Sequence, residues 1–138
     1  MRWLRAVDPW LWPVLLMALI FALSAQRDLS TGLGILDLVG RKIVHAGLYG
    51  LLCWLWFRAL DAQLSSGRAT GSALAISVLY AATDEYHQSF VAGRVGSFLD
   101  VAIDTAGALV AALLLRRSGL GARARLRSEQ EPLPPRDA

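Results

Sequence analysis

Three short stretches of this chain carry ionisable side chains at helical spacing inside otherwise apolar sequence. Lys42, His45 and Tyr49 are related as i, i+3 and i+7. Tyr80, Asp84 and His87 share a face in the same way as i, i+4 and i+7, with Gln88 close to it, and Ser97, Asp100 and Asp104 repeat i, i+3 and i+7. Residues so spaced share one face of a helix. Glu85 is turned about 100° from Asp84, beside the shared face or in the headgroup layer. Lys42 and Arg94 are cations, and Ser97 offers a hydroxyl where a helix begins, so Lys42, Tyr49, Arg94 and Ser97 form a candidate anion-binding group suited to phosphate. His45 and His87 can move protons near neutral pH, and Asp84, Asp100 and Asp104 can orient them or act as bases. Together with Glu85 they make a candidate acid–base cluster. With neutral histidines, Lys42 and Arg94 against the four carboxylates leave a charge of −2, which would also suit a divalent metal. A metal site has little use for a neighbouring lysine and arginine, so anion binding ranks first and no cofactor is expected.

Burying such groups within a membrane-length helix costs about 2.5–3.5 kcal/mol each at its centre, which makes them functional candidates by default. The chain is long enough for one domain, yet 55% of its residues are hydrophobic, only 18% are charged, and its mean hydropathy is +0.44. A soluble protein of this size has too little interior to hide so much apolar surface, so lipid is the expected solvent. Four apolar runs stand out, at 10–26, 42–60, 70–90 and 97–115. Each has roughly the 17–25 residues that a helix needs to cross a bilayer, and no alternating pattern suggests a barrel. The expected architecture is all-α, a bundle of four transmembrane helices over residues 10–115. Met1-Arg2-Trp3-Leu4-Arg5 before the first run resembles a signal peptide. The apolar stretch is too long for one, and Leu23-Ser24-Ala25 is a poor cleavage site, so a retained helix is expected.

Ten of the fourteen lysines and arginines fall on one side if both termini are cytoplasmic, which sets that orientation. The polar stripes then share the outer leaflet. Facing hydrocarbon would be costly, so they are expected to face one another, with Ala46, Gly50, Gly107 and Ala111 allowing close helix approach. The formal charge of +3 and pI near 9.6 come largely from arginines near the ends, a membrane-orientation signal with no groove pattern for nucleic acid. Residues 116–138 are arginine- and proline-rich and read as a disordered cytoplasmic tail. The Gly34–Val39 stretch reads as a segment lying along the interface. Cys53, the sole cysteine, cannot form an internal disulfide and reads as a small apolar core side chain.

At these residues the chain resembles the VanZ family of small membrane proteins, named for a member associated with low-level teicoplanin resistance. The resemblance rests on Lys42-x-x-His45-x-x-x-Tyr49 and Asp84-Glu85-x-His87-Gln88-x-Phe90. It continues through Gly93-Arg94, Ser97, Asp100, Asp104 and Gly107, and Leu-Ser-Ala-Gln at 23–26 resembles the end of the family's first helix. It covers about residues 10 to 115. The chain departs from the pattern at Ala92, where proline is common, at Ala46, where a bulkier residue is usual, and at Ala111, where glycine is frequent. These departures concern loop stiffness and packing rather than the polar set. The resemblance implies a polytopic membrane protein connected with envelope glycopeptide tolerance, but no reaction. Three functions fit the residues. The first is an outer-leaflet site that binds, and in one version modifies, an anionic or phosphate-bearing envelope lipid or precursor. The others are a proton-coupled carrier, which would need several copies, and a structural or regulatory module whose polar residues fasten helices. Expected partners are membrane lipids and further copies of the chain.

Overall fold

A computed structural model describes residues 8–26, 32, 34–92 and 96–119. These residues form four helices, with no strand among them: α1 (Leu11–Ser24), α2 (Ile35–Leu60), α3 (Ser66–Gln88) and α4 (Phe98–Ser118). At 1.5 Å per residue, α2 and α4 rise about 39 and 32 Å, enough for a hydrocarbon core of roughly 30 Å. These two helices are long and apolar enough to cross a membrane. The apolar α1 has 14 residues, a rise of about 21 Å, and α3 has the length but lower hydropathy.

The boundaries follow from local chemistry. Pro13 lies in the first turn of α1, where a missing N–H costs nothing. The stretch expected along the interface is instead the first turn of α2, begun at Gly34 (φ 60°) and carrying Asp37 where an acid complements the positive helix end. At its far end α4 runs three residues past the expected boundary, with Arg116 and Arg117 in its last turn and Gly119 at φ 58° closing it. The rest of the expected tail, from 120 onward, lies outside the described residues.

Consecutive helices run antiparallel. Trp10 meets Trp56 edge-on at 5.8 Å at one end of α1, and Ser24 reaches Asp84 at the other. Helices α2, α3 and α4 pack mutually, and α1 leans on α2 and α3. Polarity is inverted relative to a soluble protein. Ser24, Ser77, Asp84, Glu85, Gln88 and Asp104 are buried, whereas Leu15, Leu19, Val44, Leu79, Val110 and Leu114 are exposed. That distribution suits lipid as solvent. The end of the bundle holding Trp56, Phe57, Ala69, Ala73, Ala112 and Leu115 is an apolar cluster that includes fully buried Cys53, packed as expected. Ser77 and Thr70 nearby donate to carbonyls of their own helix, Ala73 and Ser66.

The Tyr80 hydroxyl donates to the Met17 carbonyl at 2.6 Å, a polar link between α1 and α3. Tyr80→Phe is expected to lower the unfolding free energy in detergent by about 0.6–1 kcal/mol, the scale of one such bond within a membrane. An unchanged unfolding midpoint would mean that the hydroxyl is equally well solvated elsewhere.

Candidate polar site at one end of the bundle

The ionisable residues of the three sequence stripes that the structure describes gather at the end opposite the apolar cluster. Helices α2 and α4 run parallel, so equivalent turns lie side by side and make a ladder. In the upper rung, Lys42 Nζ donates to Asp100 Oδ1 in a hydrogen-bonded ion pair with both side chains about a third exposed. One turn deeper, His45 Nδ1 lies 3.6 Å from Asp104 Oδ2. That distance is longer than a good hydrogen bond. Asp104 is 3% exposed, so this rung is the floor of the first.

The ladder is possible because the two backbones nearly touch just below it. A Cβ on Gly107 would fall 2.0 Å from the Ala46 carbonyl oxygen, so only a glycine hydrogen fits there. Gly50 faces the Gly107 carbonyl from the other side. The small residues picked out in the sequence do bring these helices together.

A second group joins α1, α2 and α3. Asp84, 2% exposed, accepts hydrogen bonds at Oδ2 from Ser24 Oγ at 2.7 Å and from Gln88 Nε2 at 3.0 Å. Its other oxygen makes no hydrogen bond among the described residues. Tyr49 is fully buried next to Asp84 and Asp104, and its hydroxyl makes no hydrogen bond of full geometry. Tyr49 therefore sits between the ladder and Asp84, and one acceptor and one hydroxyl there retain bonding capacity.

Other residues take positional duties. Buried Glu85 accepts the backbone N–H of Ser97 at Oε1, which ties the end of α3 to the start of α4. It lies beside the Asp84 group, buried within the bundle. Gly96 lets this loop close on α3, since a Cβ there would meet the Glu85 carbonyl at 3.3 Å. Ser97 is the N-cap of α4, its Oγ accepting from Leu99 N at 3.2 Å. His87 turns toward α1, its ring 4.3 Å from Phe21 with Nδ1 making no hydrogen bond among the described residues. It shares α3 with Asp84 but is not brought to the ladder. Arg94 lies outside the described residues. Among those described, no three histidine, cysteine or acidic side chains are grouped closely enough to hold a metal ion.

A family model, VanZ/LLP1, matches residues 9–119, which takes in all four helices and the whole polar set. The chain belongs to the VanZ/LLP1 family. No curated protein and no solved structure matches it. Within this VanZ/LLP1 protein, sequence spacing located every ladder residue. It assigned no site role to Ser24, whose only signal was a small hydroxyl closing an uncharged apolar run.

Proposed function

We propose that this VanZ/LLP1 protein crosses the membrane four times, with both termini cytoplasmic, and binds the headgroup of an anionic, phosphate-bearing envelope lipid or precursor at its outer end. The observation that carries the reading is the ladder, a lysine about a third exposed at a rim above a His–Asp pair whose aspartate is buried. Asp100 holds Lys42 in place. An exposed pair of this kind contributes only about 0–1 kcal/mol, so a phosphate can replace the carboxylate as the partner of the ammonium. The Asp104-oriented His45 supplies a group able to accept a proton from a bound headgroup, which is the form a catalytic version would take. His45 suits this duty better than His87, which packs on Phe21. Retention of envelope precursors at this site connects to the glycopeptide tolerance implied by the family.

A carrier reading is less favoured, because the buried cluster at the opposite end is apolar and the Thr70 and Ser77 hydroxyls beside it donate to carbonyls of their own helix. Native mass spectrometry of gently purified protein tests the binding reading. Wild type is expected to retain phosphatidylglycerol in preference to phosphatidylcholine, and Lys42→Ala to lose that preference several-fold. Equal retention by the two proteins would refute the headgroup site.

A further inference from the structure

An apolar groove of about 570 Å³ runs along the seam of α2 and α4, lined by Ala46, Gly47, Ile103, Ala106, Val110 and Leu114 among others. Its volume falls within the roughly 300–1,000 Å³ of ordinary ligand sites. We propose that this groove holds one acyl chain of the anionic lipid whose headgroup meets Lys42. The inference rests on the headgroup reading above and adds the recognition of the tail.

Three observations favour this occupant. The groove begins directly under the charged rim: Ala46 is one turn below Lys42, and Ile103 one turn below Asp100. From Ile103 to Leu114 it descends about 16 Å, roughly half of a 30 Å hydrocarbon core, which is the depth of one leaflet. A cation at the head of an apolar channel of one-leaflet depth complements a lipid with an anionic head. A second copy's helix is a poorer occupant, because continuing past the groove would press an apolar face on the Lys42–Asp100 pair. Bulk lipid tails are as apolar as the groove, so the chain gains little from water exclusion. It gains from packing against the groove walls and from its tether, since a bound headgroup raises the local concentration of its own tail.

Gly47 and Ala106 provide the test. A Cβ on Gly47 meets nothing within 4 Å, and Ala106 is exposed, so larger side chains there fill the groove without parting the helices. Gly47→Leu and Ala106→Phe, on different helices, guard against misfolding of either one. Full-length protein is assayed by native mass spectrometry for phosphatidylglycerol and by phosphorus NMR for glycerol 3-phosphate. Both variants are expected to retain several-fold less phosphatidylglycerol while binding glycerol 3-phosphate as wild type does, and Lys42→Ala to lose both. Groove variants with wild-type lipid retention overturn this inference alone. Lys42→Ala with wild-type retention overturns the headgroup reading on which it rests. A groove variant that changes the number of protomers but not lipid retention assigns the groove to a second copy and also overturns it.

Discussion

Replacing Gly107 with alanine is expected to separate α2 from α4 and to cost more stability than the same change at any other described glycine. The added carbon would sit 2.0 Å from the Ala46 carbonyl oxygen and 2.7 Å from its carbonyl carbon. Both are backbone atoms in mid-helix, so no side-chain rotation relieves the clash and the helices must move apart. Overpacking usually costs about 1–3 kcal/mol, and a backbone-to-backbone clash belongs at the upper end or above it. The neighbouring glycines give a graded control. A Cβ on Gly50 would approach the Gly107 carbonyl oxygen to 3.1 Å, so Gly50→Ala should cost distinctly less. Gly47 faces open space, and Gly47→Ala should be neutral or stabilise by up to about 1 kcal/mol through helix propensity. Thermal unfolding in detergent ranks the three. If Gly107→Ala melts with Gly47→Ala, the close crossing of α2 and α4 is absent in the folded protein. The same separation would part the Lys42–Asp100 and His45–Asp104 rungs, so lipid retention should fall with stability in Gly107→Ala alone.

That crossing shows what the sequence could convey. The 3.6-residue period put Lys42, His45 and Tyr49 on one face, and the small residues Ala46, Gly50, Gly107 and Ala111 marked a close helix contact. Spacing within one helix cannot say which turn of a neighbour it meets. The pairing of Lys42 with Asp100 and of His45 with Asp104 depends on α2 and α4 running parallel at a fixed height, which the Gly107 contact sets. Period alone also left His87 and Asp84 equivalent, one turn apart on α3. Their neighbours on α1 separate them: Ser24 presents a hydroxyl to Asp84, and Phe21 presents a ring to His87. The start of α2 was misread for a related reason. Glycines at 32, 34 and 40 argue for a loop, but Gly40 is accommodated inside the helix and only Gly34 serves as its boundary. Glu85 looked like one more acid of the cluster because its backbone partner, the Ser97 N–H, carries no signal in side-chain chemistry.

Asp84 is where fastening and chemistry have to be told apart, and Asp84→Ala is expected to release the outer end of α1. Helix α1 has the lightest packing of the four, and near Asp84 its polar anchor is the Ser24 hydroxyl. Removing the carboxylate takes away the acceptor that Ser24 and the buried Gln88 amide share, at about 1–3 kcal/mol for a buried group left unsatisfied. The loss should be local. Hydrogen exchange is expected to accelerate in residues 17–24 while the α2–α4 contact around Gly107 keeps its protection, because that contact is made by Ala46 and Gly50 of α2. Asp84→Asn separates the two duties. Its side-chain carbonyl still accepts from Ser24 and Gln88, so α1 should stay docked, but the acceptor beside the Tyr49 hydroxyl becomes a donor and the negative charge is gone. If Asp84→Asn keeps α1 protected yet loses phosphatidylglycerol selectivity or the cellular phenotype, the buried charge takes part in recognition. If it behaves as wild type in every assay while Asp84→Ala frays α1, Asp84 is a fastener, and function is confined to the Lys42–Asp100 and His45–Asp104 ladder. Protected exchange throughout Asp84→Ala would instead show that the Ser24 bond does not hold α1 in place.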